Sequence, residues 1–392
     1  NMNLYYEIHE LEKDLLFLEK GEEALFKAMQ KDVPGFDSAV EEGVQFLSAM
    51  SDLWFQNLIT DRDGTINNYC DRYTTSVQSA YNGIFLTSFC RTCCENAVIL
   101  SAAPLQGMID VSVNPDGTLV YGASKGREFL VDNVYQSADM DEASKELMNT
   151  LNRRLKRIMA VPPFDKFELI GSGLQFKFGQ TTVSHQDITK SIPAAESEDF
   201  KVLVRRLVES LAPKGELTLH DTGLDMEISP TMREGQGDEQ DSFHKGDGLK
   251  FLDERLELHV ERGPNLICGD TSSDVPMLEQ AMALCPDRTC AIFCIPEGPG
   301  KAKLTARLEA VCPRVLVVPS PDVLVTIFHK CAQLRHEMSA QSSMTRRSSF
   351  ARRGGGSRTR KRGSEPDSFS PNPEVFTSSF CSNPLASSPS LL

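Results

Sequence analysis

No run of apolar residues in the 392-residue chain is long enough to cross a bilayer as a helix, so no membrane span is expected. No leader with a basic start, an apolar middle and a small-residue cleavage site is visible, although a truncated start would hide one. It opens on Asn1-Met2 in the middle of a helical pattern, and part of a helical element is expected upstream. Positive charge is in deficit: 41 Lys and Arg stand against 55 Asp and Glu, a net charge of -14, which argues against nucleic acid as the main partner. Metal-type cysteine spacing is missing. Cys90, Cys93 and Cys94 lie close together, but no second Cys or His pair at ligand spacing accompanies them, so they are expected as core or helix-face thiols. The 11 cysteines are odd in number and scattered over predicted strands and helices, which suits a reducing compartment and a cytoplasmic location. The acidic stretch 234–241 lacks the oxygen spacing of a calcium loop and reads as an insertion near a hinge.

Chemistry is concentrated in four short motifs. The apolar run ending in Thr60 is followed by Asp61-Arg62-Asp63-Gly64-Thr65, which sets two carboxylates two residues apart at a strand tip. Alternate residues of a strand share a face, so Asp61 and Asp63 can converge on one reacting group, and Gly64 permits the turn that uncovers them. An Asp-Gly hairpin turn is the competing reading of this segment alone. Downstream, Asn265-Leu266-Ile267-Cys268-Gly269-Asp270 repeats the strand and tip, with a further acid at Asp274 before a helical pattern. Parallel neighbours of this kind meet at their carboxyl ends, where open α/β sheets bind ligands. Four carboxylates there repel one another unless a cation sits among them, and the hard divalent ion such oxygens select is Mg2+. A third apolar run ends in Ser101, and Lys245 opens a later helix; a hydroxyl and an ammonium are what phosphoryl oxygens need. Singly, Ser101 reads as a helix cap and Lys245 as solvated surface.

In this order the motifs resemble those of the haloacid dehalogenase-like phosphatases. The resemblance implies that Asp61 is the nucleophile, that Asp63 is the acid and then the base, and that Ser101 and Lys245 hold the phosphoryl group. It also implies Mg2+ held by Asp61, the main-chain oxygen of Asp63, Asp270 and Asp274. Arg62 stands where many relatives carry an apolar residue. The wording from Asp61 to Asn67 is also similar to a small capless branch acting on heptose bisphosphate or histidinol phosphate. The stretch of well over a hundred residues between Ser101 and Lys245 does not fit that branch, because one crossover needs far fewer, and it is expected to form a cap.

The inserted region mixes periods. Residues 119–121 and 175–178 alternate like strands, 141–159 and 200–211 read as amphipathic helices, and 216–220 with 224–228 read as a strand pair around a Thr-Gly turn. From about residue 52 to about 333 the chain resembles trehalose-6-phosphate phosphatases of the nematode type. The wording that carries this includes Ser101-Ala102-Ala103-Pro104-Leu105, Gly122-Ala123-Ser124-Lys125-Gly126-Arg127-Glu128-Phe129 and Gly171-Ser172-Gly173-Leu174-Gln175-Phe176-Lys177. By this resemblance Glu128, Lys177 and Glu227 are candidates for gripping sugar hydroxyls, with Gln175, His185 and Arg127 second. Each has a plainer reading: Arg127 and Glu128 as a pair, Lys177 as solvent face, His185 as a packed or capping residue. Where the resembled pattern has a basic residue after Gln175, this chain has Phe176, one cation fewer beside the sugar.

Leu4, Ile8, Leu11, Leu15 and Leu18 mark one face of an N-terminal helix, with a break at Gly21 and another at Val33-Pro34-Gly35. Resembling proteins carry a helical bundle upstream of the core, which implies docking or self-association through these helices. After the cap, 291–295 and 315–318 are buried-strand runs joined by a helix over 301–311, with a last helix over 321–334. From about 339 Ser, Arg, Gly and Pro dominate and apolar periodicity stops, so a solvated tail is expected. Within it Ser348 and Ser349 fit a basophilic kinase, and 358–362 an import or anionic-surface patch.

The expected fold is therefore α/β: a Rossmann-like parallel sheet core (51–105 and 240–336), an inserted α/β cap (106–239), an N-terminal helical element (1–50) and a tail (337–392). The expected activity is Mg2+-dependent hydrolysis of a small sugar phosphate, trehalose 6-phosphate first. Another sugar phosphate, or a weakly catalytic sensor of one, are the alternatives; neither nucleic acid nor membrane is an expected partner.

Overall fold

In the computed structural model, which describes residues 4–70, 72–131, 134–231 and 243–353, three helices precede the sheet: α1 (Tyr5–Lys20), α2 (Glu22–Asp32) and α3 (Phe36–Ser51). Gly21, at φ 81°, separates the first two, and Gly35, at φ 74°, starts the third, so the breaks fall where the sequence placed them. Then follow β1 (Phe55–Thr60), α4 (Ala80–Cys93), β2 (Cys94–Leu100), α5 (Leu105–Asp110), β3 (Val120–Ala123), β4 (Glu128–Val131) and β5 (Val134–Ser137). The inserted layer holds α6 (Glu142–Met159), β6 (Leu174–Lys177), β7 (Gln180–Ser184), α7 (Ala194–Leu211), β8 (Leu217–Asp221) and β9 (Asp225–Pro230). The chain returns through α8 (Lys245–Leu256), β10 (Asn265–Gly269), α9 (Val275–Leu284), β11 (Thr289–Cys294), α10 (Lys301–Val311), β12 (Val315–Val318) and α11 (Pro321–Arg353). The acidic stretch 234–241, read as an insertion near a hinge, lies outside the described residues, as does the basic patch 358–362.

The main sheet runs β12-β11-β10-β1-β2-β3-β4-β5. Strands β12 through β3 are parallel, and β4 and β5 extend the sheet antiparallel. Alternating residues feed two layers. Leu58, Ile99 and Leu266 pack with α2, α3, α4 and α11, while Ile59, Val98 and Ile267 pack with α8, α9 and α10. A buried amide ladder fixes the register of the three central strands: Asn57 Nδ2 donates to Asn265 Oδ1 at 2.8 Å and Asn96 Nδ2 to Asn57 Oδ1 at 3.0 Å. A one-residue slip would leave these amides unpaired in the core.

The stretch 106–239, expected as one cap, divides. Strands β3, β4 and β5 add to the core sheet, and only β6-β7-β9-β8 form a separate antiparallel sheet. That sheet is two-faced: Val183, Met226 and Ile228 pack under α6 and α7 with Phe167 and Phe200, leaving Gln175, Lys177, Gln180 and Glu227 on the opposite face. The strand expected at 119–121 is found at Val120–Ala123, and it pairs parallel with β2 through Val120 and Val98, which local alternation does not reveal.

Two further expectations change. The apolar stripe of α1 faces solvent, while Glu10 and Lys13 are its buried residues. Lys13 Nζ sits 2.6 Å from Glu10 and 3.1 Å from Asp322, and the Tyr81 hydroxyl donates to Asp322 at 2.7 Å. Burial pulls Lys13 down, but the two carboxylates more than offset this and hold its ammonium above the usual range. A buried charge this fully paired can anchor a helix by its polar side. The second change is at the other end: the helical backbone of α11 continues to Arg353, past the residue 337 boundary expected for the tail. Residues 4–341, apart from the few left undescribed, form one compact unit. None of the described helices is long and apolar enough to cross a membrane.

Candidate active site

Parallel pairing puts the motif ends side by side. Thr60 registers with Cys268 on one flank and Ile99 on the other, so Asp61, Asp270 and Ser101 emerge at one rim, with the Asp61 amide donating to Cys268 O at 2.9 Å. The turn after β1 is tight. Gly64 has φ 83°, and a Cβ there would sit 2.1 Å from Asp270 Oδ2, so only glycine lets this acid close over the motif.

Ligand atoms of Asp61, Asp270 and Asp274 all lie within 4.8 Å of one another. Lys245 Nζ, from the first turn of α8, stands 2.5 Å from both Asp61 Oδ1 and Asp274 Oδ1. Asp274 is held on its other oxygen by the amides of Asp270 (3.0 Å) and Thr271 (2.9 Å) and by the Thr271 hydroxyl (3.1 Å). Two buried acids thus share one ammonium, with the half-buried Asp270 beside them, and the proton affinities of the three split accordingly. Burial and the neighbouring acids Asp61 and Asp274 push Asp270 up to about 9. Burial raises Asp61 to about 6 despite Lys245. Burial also acts upward on Asp274, but Lys245 and the amides prevail and hold it below the usual range. Surplus negative charge at a water-poor rim is a fitting environment for a hard divalent cation.

Asp63 is outside this triad and turned to the cleft. Its Oδ1 accepts from Arg62 at 2.5 Å and from the Ser76 hydroxyl at 2.8 Å. Arg62 is buried, and it also donates to the main-chain oxygens of Ser76 and Val111. This clamp was not legible beforehand. Arg62 stood out in the sequence only as a charge where resembling proteins carry an apolar residue; Ser76 carries no local signal.

The cleft in front of these groups measures about 270 Å3 and is lined by Asp61, Asp63, Ser101, Lys245 and Asp270 below, and by Gln175 and Lys177 of β6 above. Tyr69, Cys70, Tyr73 and Ser76 form a side wall that the motifs do not announce. Burial, only partly countered by Glu227, lowers Lys177 to about 8. Glu227 stands behind the lining, where it accepts from Gln180 Nε2 at 2.7 Å. Phe176 points to the other face of β6, away from Gln175 and Lys177, so the missing cation is not missing from the cleft.

Three candidates are elsewhere. Glu128 is buried at the start of β4, accepting from the Ser124 hydroxyl at 2.5 Å and the Leu105 amide at 3.4 Å; it braces a turn and starts a helix. Arg127 donates to Ser124 O at 3.1 Å and stacks on Phe243 with its guanidinium carbon 5.0 Å from the ring centre. His185 is enclosed between Ser197 (3.0 Å) and Asp221 (3.1 Å), on the helix-covered side of the cap sheet. The resemblance put these three forward for the sugar; in this structure sheet membership and strand face place them outside the lining of the cleft.

The family model described as trehalose-6-phosphate phosphatase, C-terminal, matches residues 58–324. The chain belongs to this family. Among curated proteins of the trehalose-6-phosphate phosphatase type and its neighbours, it is 31% identical over 342 residues to the alpha,alpha-trehalose-phosphate synthase (UDP-forming) 2 of Caenorhabditis elegans, covering 81% of this chain and 27% of that protein. It is 30% identical over 242 residues to the trehalose-phosphatase of Brugia malayi, covering 60% of this chain and 48% of that one. The chain thus spans about a quarter of the length of the synthases it matches. A solved structure of the Candida albicans trehalose-6-phosphate phosphatase C-terminal domain aligns over 75% of this chain and 97% of that one, at 12% identity and a TM-score of 0.48.

Proposed function

We propose that this chain is a Mg2+-dependent phosphatase that releases phosphate from a sugar phosphate, with trehalose 6-phosphate as the leading substrate. What carries the reading is the meeting of Asp61, Asp270 and Asp274 around Lys245, at the floor of a cleft whose opposite wall is the polar face of an inserted sheet. Family membership and the relatives named trehalose-phosphatase support the substrate class.

In this proposal a carboxylate oxygen of Asp61 bonds to phosphorus as the ester bond to the sugar oxygen breaks, giving an aspartyl-phosphate. Asp63 gives its proton to the departing sugar oxygen, then takes one from a water whose oxygen bonds to phosphorus as the Asp61 oxygen–phosphorus bond breaks, which releases inorganic phosphate and restores the Asp61 carboxylate. The Arg62 and Ser76 contacts keep the Asp63 carboxyl aimed across the cleft. Lys245 and the Ser101 hydroxyl receive the non-bridging oxygens. Asp61, Asp270, Asp274 and the main-chain oxygen of Asp63 would hold Mg2+, which when bound neutralises phosphoryl charge. Gln175 and Lys177, backed by Glu227, meet the sugar hydroxyls, and the inserted sheet keeps bulk water from the aspartyl-phosphate.

The test is phosphate release from a panel of sugar phosphates, with Asp61→Asn as the control. Release from trehalose 6-phosphate that Asp61→Asn abolishes supports the proposal. Release only from other sugar phosphates changes the substrate, and no release from any member, with tight binding, makes the chain a sensor.

A further inference from the structure

Helix α1 lies on the molecule back to front. Its polar residues Glu10 and Lys13 are buried, whereas Leu4, Ile8, Leu11, Leu15 and Leu18 are between 45% and 67% exposed. These five recur at intervals of four, three, four and three residues, the a/d spacing of a coiled-coil seam. A row of half-exposed aliphatic side chains along a whole helix is unusual on a surface without a partner.

The residues beside the seam narrow down the partner. With Ile8 and Leu15 as a positions, the flanking e and g positions are Tyr5, Glu12, Glu19, Glu7 and Asp14. Glu12 and Glu19 are exposed. Glu7 pairs with Arg72, and Asp14 accepts from the amides of Ala80 and Tyr81, so those two acids are tied to the fold. Lys13 and Lys20 both fall on the side of the helix away from the seam. A second copy docked antiparallel on the same seam would set Glu12 and Glu19 against the same acids, and a parallel copy would set them against Glu7 and Asp14, so neither direction offers them a basic partner. An anionic lipid surface would be repelled in the same way.

We propose that the exposed face of α1 is a docking seam for a basic amphipathic helix, with aliphatic residues at a and d and Lys or Arg at the flanking positions. The apolar row supplies the adhesion, and the acidic rim selects the charge of the partner.

A direct test uses the full chain and three labelled 21-residue helical peptides followed by fluorescence anisotropy. One peptide has Leu at a and d with Lys at e and g; the second has Glu in place of Lys; the third has the first's composition scrambled. The expected result is binding of the Lys peptide alone, weakening with salt, and roughly 100-fold weaker on the L11E/L15E double variant. Both leucines are exposed, and an unchanged melting temperature of that variant shows that it folds. Binding of the scrambled or Glu peptide as tightly as the Lys peptide overturns the proposal. So does Lys-peptide binding that survives L11E/L15E, or no binding at all. A chain that sediments as a dimer and becomes monomeric on L11E/L15E also overturns it, because the seam then belongs to a second copy.

Discussion

Replacing Asp270 by Asn should make the metal-free protein more stable, although it removes a side chain proposed to bind the ion. Burial and the acids beside it raise Asp270 to about 9 in the fold, against an ordinary carboxylate value near 4. A group raised by folding contributes fully below its unfolded value and loses that contribution as pH rises toward its folded value. Asp270 therefore destabilises the metal-free chain increasingly between pH about 4 and about 9. At pH 7 the cost of keeping it protonated approaches about 4 kcal/mol, from 1.36 kcal/mol per pH unit over roughly three units. Because Asp61 and Asp274 draw on the same protons, a gain of about 2–4 kcal/mol is expected from D270N. For a chain of this size that is a rise of about 3–6 °C in the melting temperature. The assay is thermal unfolding in EDTA at pH 5, 7 and 8.5, repeated with excess Mg2+. D270N should exceed the parent most at pH 8.5 and least at pH 5, and it should lose most of the rise that Mg2+ gives the parent. A variant no more stable than the parent at pH 8.5 in EDTA, or one that keeps the full Mg2+ effect, would falsify the crowded-acid account of this site.

Three other substitutions probe different parts of the molecule. Lys177, lowered to about 8, loses its charge as pH rises through that value; kcat/KM should fall above pH about 8 in the parent, whereas K177M should start about 10- to 100-fold lower and lack this limb. G248A would place a Cβ 1.8 Å from the Lys125 carbonyl oxygen, a backbone atom that cannot swing aside; a loss of about 2–4 kcal/mol by denaturant unfolding, with a lower kcat because α8 carries Lys245, is expected. His185→Ala should lower the melting temperature through the lost Ser197 and Asp221 contacts while leaving KM within about twofold of the parent, and a KM raised tenfold would return His185 to the substrate site.

Legibility followed the range of the interaction. Asp61, Asp63, Asp270 and Asp274 could be read because a strand, a glycine and an acid are adjacent in sequence and local geometry does the rest. Period likewise gave helices at 141–159 and 200–211 and strands at 216–220 and 224–228, which the structure has at 142–159, 194–211, 217–221 and 225–230, the first six residues of the second helix being unannounced. The alternation read over 175–178 corresponds to β6, and it places Gln175 and Lys177 on one side of that strand. The surroundings of Glu128 could not be read, because period says that a residue is on a strand but not which sheet the strand joins; β4 pairs with β3 in the core.

What the sequence determined by itself is the chemistry: which acids stand at strand tips, which ammonium opens a helix, and that a long insertion separates the halves of the core. Only the tertiary structure decided how these are supported. The Arg62–Ser76–Asp63 clamp joins residues of one short stretch through a loop whose path no period encodes. The orientation of α1 depends on Asp322, some three hundred residues away, offering Lys13 a buried partner. An apolar stripe predicts a buried face only when no better-compensated polar face competes, and that competition is settled by residues distant in the chain.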